Sequence, residues 1–171
     1  MIVPQFILDS LIANGRGSSA SILVTQPRRL SAIAVAARVS DERLSDGSVG
    51  YAIRGESKMT SKTKLLFCTT GVVLRRLGSG DKLAGVTHVV VDEVCPGHPL
   101  RLSGSNSFYE VHERSMDSDF LLLELKDLLR KTKHLKVVLM SATINQETFV
   151  KYFGGAPLIS ITGRTFPVED M

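Results

Sequence analysis

Residues Val86 to Asp92 read VTHVVVD, and the way this stretch folds decides the architecture of the chain. It is a β-branched apolar run that ends on an acid. A strand with no polar alternation needs both of its faces covered, which is the situation of a parallel sheet under helices. The neighbouring segments repeat the pattern. Upstream, Ala20 to Thr25 (ASILVT) and Lys64 to Cys68 (KLLFC) are short apolar strands, and Leu135 to Met140 (LKVVLM) follows downstream.

Helical patterns alternate with these strands. Arg28 to Leu44 is rich in Ala with arginines on one side, and Gly71 to Leu77 (GVVLRRL) is a short helix. Met116 to Arg130 carries apolar residues at helical spacing, and Asn145 to Phe153 is a further helix. Pro157 to Ile161 reads as a last short strand. The alternation predicts an α/β fold, a mostly parallel sheet with helices on both faces. Ligands of such sheets bind beyond the carboxyl ends of the strands. Three groups stand at such ends: Thr69–Thr70, Asp92–Glu93 and Ser141–Ala142–Thr143. Their loops are expected on one side of the sheet. There is no internal repeat, and the one compositional break is Cys95 to Tyr109, rich in Pro, Gly, Ser and Asn.

With 171 residues the chain is long enough for one domain with its own core. Hydrophobic residues make up 43% and charged residues 22%, which argues against disorder. No apolar run reaches membrane-span length, and no basic-then-apolar signal pattern opens the chain. Cys68 and Cys95 have neither CxxC nor His-partner spacing, which fits a reducing cytoplasmic or nuclear setting rather than a disulfide framework or zinc site. His88, His98 and His134 have no ligand partners in sequence, and Cys68 reads as a small core residue. The net charge of +4 suits a polyanion partner. With aromatics at 6% and no Trp, contact with a nucleic-acid backbone is the better expectation than base stacking.

An acidic pair after an apolar strand can orient Mg²⁺ through water and accept a proton from an attacking water. Most Asp-Glu pairs are merely solvated strand ends. TQPRR (Thr25 to Arg29) opens a helix at a strand end, where backbone N–H groups and Arg28 and Arg29 can hold phosphate. CTTGVVLRRL (Cys68 to Leu77) repeats the theme, with an ordinary N-capped helix as its plainer reading.

Taken in order, TQPRR, CTTGVVLRRL, VVVDE, HERSMDSDFLL, VVLMSATIN and GRTFPVED resemble the first RecA-like domain of the DEAH-box (DEAH/RHA) RNA helicases. TQPRR and HERS point away from the DEAD-box relatives. The resemblance covers nearly the whole chain except Cys95 to Tyr109. It implies a RecA-like P-loop NTPase fold, ATP and Mg²⁺ as cofactors, and RNA as partner, bound without sequence preference. By resemblance Asp92 and Glu93 are the Mg²⁺ and water-activating acids, and His112 ends their motif. Ser141, Ala142 and Thr143 resemble the motif that couples hydrolysis to strand movement. Pro27, Arg28, Arg29, Thr69, Thr70 and Gly71 resemble the groups that grip the RNA backbone. Arg164 to Val168 resembles the lead into a second RecA-like domain.

Two departures shape the expectations. The family's G-x-x-x-x-G-K-[ST] loop should precede VPQFILD, which here is Val3 to Asp9, and no Gly-Lys-Ser/Thr occurs in the chain. The phosphate-binding loop, its strand in the middle of the sheet and the second RecA-like domain are thus expected to be missing. That loss should leave neighbouring strands with unpaired backbone groups and an apolar gap. The domain is read as an incomplete ATP-binding unit over residues 1–171, inactive alone. The other reading is a non-catalytic RNA-binding or regulatory fragment, and a third is a product that does not fold stably. Second, Val94 to Val111 stand between Glu93 and His112 where the family has one residue. Deleting Val94 to Glu110 restores VVVDE-VHERSMDSDF. Val-Cys, Ser105-Asn106 and Glu110 can be encoded as an intron start, a branch sequence and an intron end. The segment is therefore read as a translated unspliced intron, with a genuine surface insertion as the alternative.

Overall fold

A computed structural model describes residues 2–93, 113–141 and 146–161. The elements run α1 (Val3–Ala13), β1 (Ile22–Gln26), α2 (Arg29–Glu42), β2 (Val49–Ile53), β3 (Glu56–Lys58), β4 (Leu65–Thr69), α3 (Thr70–Gly78), β5 (His88–Val91), α4 (Glu113–Lys131), β6 (Lys136–Leu139) and α5 (Gln146–Tyr152). The six strands form one sheet in the order β3-β2-β4-β1-β5-β6. Every pairing is parallel except the β2–β3 hairpin. The α/β architecture expected from the apolar strands is the one observed.

Period-two alternation splits the sheet's side chains between two cores. On one face Leu23, Cys68, Val89 and Val91 meet Val73 of α3 and Leu121, Leu122, Leu125 and Leu128 of α4, with Phe149 of α5 packed against them. On the other, Ile22, Val24, Leu65, Phe67 and Val90 meet Leu8 and Leu11 of α1 and Ala36 and Val39 of α2. All of β1 and β5 is buried, as unbroken apolar strands require. Each fully buried Val, Leu or Phe contributes roughly 1.5–3 kcal/mol of transfer free energy, so these two faces supply most of the driving force.

Three elements were not apparent in the sequence: α1, β2 and β3. The last two make a hairpin in which Ile53 pairs with Glu56. Arg54 and Gly55 are its two-residue turn, and Gly55 has φ of +83°, which a residue with a Cβ rarely adopts. All three β3 residues are exposed, so this strand exists through its pairing and not through burial.

Pro157 to Ile161 corrects the sequence reading. These residues form no strand, and Leu158, Ile159 and Ile161 are exposed. A β-branched run becomes a strand only when a neighbour takes up its N–H and C=O groups. No such neighbour stands beside it among the described residues. The expected gap in the middle of the sheet is also not found among the described residues: the six strands are contiguous. Two strands are one-sided, β3 paired with β2 alone and, at the other end of the row, β6 paired with β5 alone.

Candidate functional site

Parallel pairing brings the carboxyl ends of five strands to one edge. Gln26 of β1 pairs with Thr69 of β4, and Ala52 of β2 pairs with Cys68. Thr25 pairs with Val91 and Val91 with Leu139, so Asp92 and Met140 continue the same row. One residue further on stand Arg54, Thr70, Pro27, Glu93 and Ser141. The loops expected on one side of the sheet do lie there, as far as they are described. His112, Ala142 and Thr143 lie outside the described residues, as do the Val94 to Glu110 segment, His98 and Arg164 to Val168.

Asp92 follows β5 and is half-buried. Its main-chain N–H donates to the Thr25 carbonyl at 3.3 Å, continuing the β1–β5 ladder past the last residue of the strand. Its Oδ2 accepts a hydrogen bond from Nε2 of Gln26 at 2.8 Å. Glu93 is exposed and sits in the left-handed region at φ +54°. Such a backbone costs on the order of 1–3 kcal/mol in a non-glycine residue and collects at functional turns.

The donor set fits one kind of metal. Among the described residues no group of three or more His, Cys, Asp or Glu side chains could hold an ion by itself. A hard carboxylate at a strand end, with a second acid beside it, suits Mg²⁺ that arrives with phosphates and keeps several waters. Among the described residues the edge has no ligand set for a resident structural ion.

The basic part of the edge stands beside the acids. Pro27 is half-buried, while Arg28 and Arg29 are exposed. Arg28 is the N-cap residue of α2, and no side chain caps that helix. Thr69 is the N-cap residue of α3, again without a side-chain cap bond, so the plainer reading of CTTG as a hydroxyl-capped helix does not hold. Both helix starts thus direct first-turn N–H groups toward the carboxyl edge. Gly71 is exposed, and a Cβ built on it would meet nothing within 4 Å. Ser141, just past β6, is half-buried.

Two residues of this edge carried no assignment in the sequence. Arg54 belongs to it because the β2–β3 turn places it beside Arg29, whose Nη2 donates to the Arg54 carbonyl at 3.4 Å. The Arg-Gly turn between YAI and ESK was the available signal. Gln26 lies inside TQPRR, one residue beyond the strand read from the sequence, and the observed β1 extends to include it on the face of Ile22 and Val24. Cys68 is the small core residue it was expected to be. Cys68 is fully buried, burial pushes its thiol up to about 12, and its Sγ donates to the Val24 carbonyl at 3.7 Å. The Lys126 to Lys136 stretch reads in the sequence as a solvated helix end, yet Lys126 Nζ lies 3.7 Å from the centroid of the Tyr152 ring.

No protein-family model matches the chain. Individual relatives do. The chain is 58% identical over 181 residues to a protein of Mycosarcoma maydis named as a DEAH-box ATP-dependent helicase, with 98% of the chain and 10% of that protein covered. It is 51% identical over 169 residues to the DExH-box ATP-dependent RNA helicase DExH3 of Arabidopsis thaliana, covering 98% of the chain and 13% of the relative.

The chain belongs to the DEAH/DExH-box helicases. The human ATP-dependent DNA/RNA helicase DHX36 matches as well, at 46% identity over 173 residues, 98% of the chain and 16% of the relative. The chain thus spans between 10% and 16% of the length of these three helicases. No helix among its described residues is long and apolar enough to cross a membrane.

Proposed function

We propose that this chain supplies the acidic and RNA-gripping edge of a RecA-like helicase module, the first of two, that couples ATP hydrolysis to movement along RNA. The observation that supports this reading is the meeting, on one sheet edge, of Asp92 and Glu93 with the TQPRR and TTG loops and the Arg54 turn. ATP use and RNA binding come from the names of the relatives, and the residue roles from the family resemblance.

Asp92 would hold a nucleotide-borne Mg²⁺, whose charge would offset that of the phosphates. Glu93 accepts the proton of the water that attacks the terminal phosphate. His112 ties the state of this site to the domain interface, and Ser141, Ala142 and Thr143 pass it toward the RNA side. Arg28, Arg29, Thr69, Thr70 and Gly71, joined by Arg54, hold the sugar–phosphate backbone, with Pro27 setting the loop. Binding of this kind reads no bases, and it weakens steeply with salt because counterions are released.

The 171 residues contain no G-x-x-x-x-G-K-[ST] pattern. By themselves they neither hydrolyse ATP nor unwind RNA, and they retain the backbone grip. The test is to titrate the isolated chain with ATP and with single-stranded RNA at several salt concentrations. RNA binding with a log–log salt slope that falls by about 0.7 on each Arg28→Ala or Arg29→Ala change, without ATP binding, is the expected result. Tight Mg²⁺-dependent ATP binding would overturn the inactivity, and salt-independent RNA binding would overturn the grip. In the full-length gene product, Glu93→Gln is expected to abolish hydrolysis while leaving nucleotide binding. The RNA-binding or regulatory reading takes over if the full-length product binds RNA but not ATP.

A further inference from the structure

Gln26 stands where the two halves of the proposed edge touch. It is the last residue of β1 and only 3% exposed. Its carboxamide donates to Asp92 Oδ2 at 2.8 Å. The next residues of the chain are Pro27, Arg28 and Arg29. From this geometry we infer that Gln26 is a positioning residue: its amide fixes the Asp92 carboxylate for the metal and ties it to the RNA-gripping loop. The inference rests on the reading of Asp92 as the metal-holding acid.

The chemistry of the pair favours this role. A carboxylate only accepts, so the atom of Gln26 that faces it must be the NH₂ group. A bond to one carboxylate oxygen restricts rotation about the Asp92 side chain, and the other oxygen then has a fixed direction. The donor is neutral. An Arg or Lys in its place would cancel the charge that draws the cation, whereas an amide orders the carboxylate and leaves its charge intact. Burial matters too, since a carboxamide shielded from water cannot be replaced by solvent at no cost.

The same pair links the loops. The Asp92 N–H donates to the Thr25 carbonyl, so β1 holds Asp92 by its backbone as well as its side chain. Arg28 and Arg29 follow on the same β1-to-α2 connection. A shift of that connection when RNA is engaged therefore moves the groups that set the Asp92 carboxylate. A spacer residue between Gln26 and the arginines would weaken the coupling, and only Pro27 lies there, with its φ fixed.

The test uses the full-length gene product with Gln26→Leu and Gln26→Glu, the second keeping the shape of the side chain but having no donor. Both are expected to raise the Mg²⁺ concentration for half-maximal ATP hydrolysis about 10- to 100-fold, the range found when an outer partner of a metal ligand is lost. Both should also lower kcat while the KM for RNA stays within about twofold, and reduce the RNA stimulation of hydrolysis more than the basal rate. The contact itself is read without activity: the Gln26 side-chain amide resonance should shift in Asp92→Asn. If Gln26→Leu lowers only the melting temperature and Gln26→Glu keeps the wild-type metal dependence, the inference is overturned and Gln26 is packing. An amide resonance unmoved by Asp92→Asn overturns it as well. A shifted resonance with a wild-type metal dependence in Asp92→Asn would instead sink the reading of Asp92, and so separates the two failures.

Discussion

The centre of the sheet and its β6 end are built from similar residues and behave differently. Val90 of β5 and Val138 of β6 are paired in register, yet Val90 is fully buried and Val138 half-buried. The β5 strand has β1 on one side and β6 on the other, with helices over both faces. The β6 strand has β5 alone, and the apolar residues Leu158, Ile159 and Ile161, later in the chain, are exposed without forming a strand. Apolar, β-branched composition thus marks a segment as able to pair. Whether it does pair depends on a second strand that only the assembled fold supplies.

The largest expected effect probes that contrast at one pair of residues. Val90→Ala should destabilise the chain by about 2 kcal/mol, through lost transfer free energy and the cavity left behind, and Val138→Ala by about 1 kcal/mol or less. Denaturant titration of both variants measures the difference, and equal losses would break the comparison. A gain of up to about 1 kcal/mol is expected from Gly71→Ala, because Ala is the better helix residue and the site has room for a Cβ. Weaker RNA binding by the same, more stable variant would mark Gly71 as open for a ligand and not for the fold.

A smaller effect sits at the amino end of the same β5–β6 pair. His88 is 8% exposed, with Thr87 Oγ1 2.9 Å from its Nδ1, and it pairs in register with Lys136. Burial, and then the positive charges of Lys136 and Arg16, hold its pKa below the usual 6.5. The folded state therefore resists the proton that the unfolded chain accepts. The stability from this group is present above 6.5 and is lost as the pH falls from there through the lowered folded value. His88→Gln should flatten that decline in melting temperature between about pH 7 and 5. An unchanged decline would place the acid sensitivity elsewhere. The smallest effect is Ile159→Ser, expected within about 0.5 kcal/mol of the parent, as for an exposed side chain with little to lose. A cost like that of Val90→Ala would mean that Ile159 is covered in solution.

Much of this was legible in the sequence because it depends on local pattern. VTHVVVD, KLLFC, ASILVT and LKVVLM became strands within a residue or two of the expected limits, and the helices between them formed within three residues of theirs. These runs are apolar without a polar alternation, so each one carries its own local signal. The polar ESK of β3 and the Gly-containing VGYAI of β2 had no such signal, and the β2–β3 turn that places Arg54 stayed hidden with them. Residues 157–161 failed in the opposite direction, with the composition of a strand and no partner.

The candidate site divides along the same line. Its residue types and their order, TQPRR, TTG and the Asp92–Glu93 pair, stand in the sequence, because motif chemistry needs particular side chains at short spacing. That chemistry identified the helicase family. The contacts between motifs do not stand there. Gln26 and Asp92 are 66 positions apart, and only the parallel register of β1 and β5 brings amide and carboxylate to 2.8 Å. Arg29 and Arg54 meet only because β2 and β1 both flank β4. The sequence by itself determined which groups could do chemistry, since that is a property of side chains and their neighbours along the chain. Tertiary structure decided which of them act together, since strand pairing alone sets distances between remote segments.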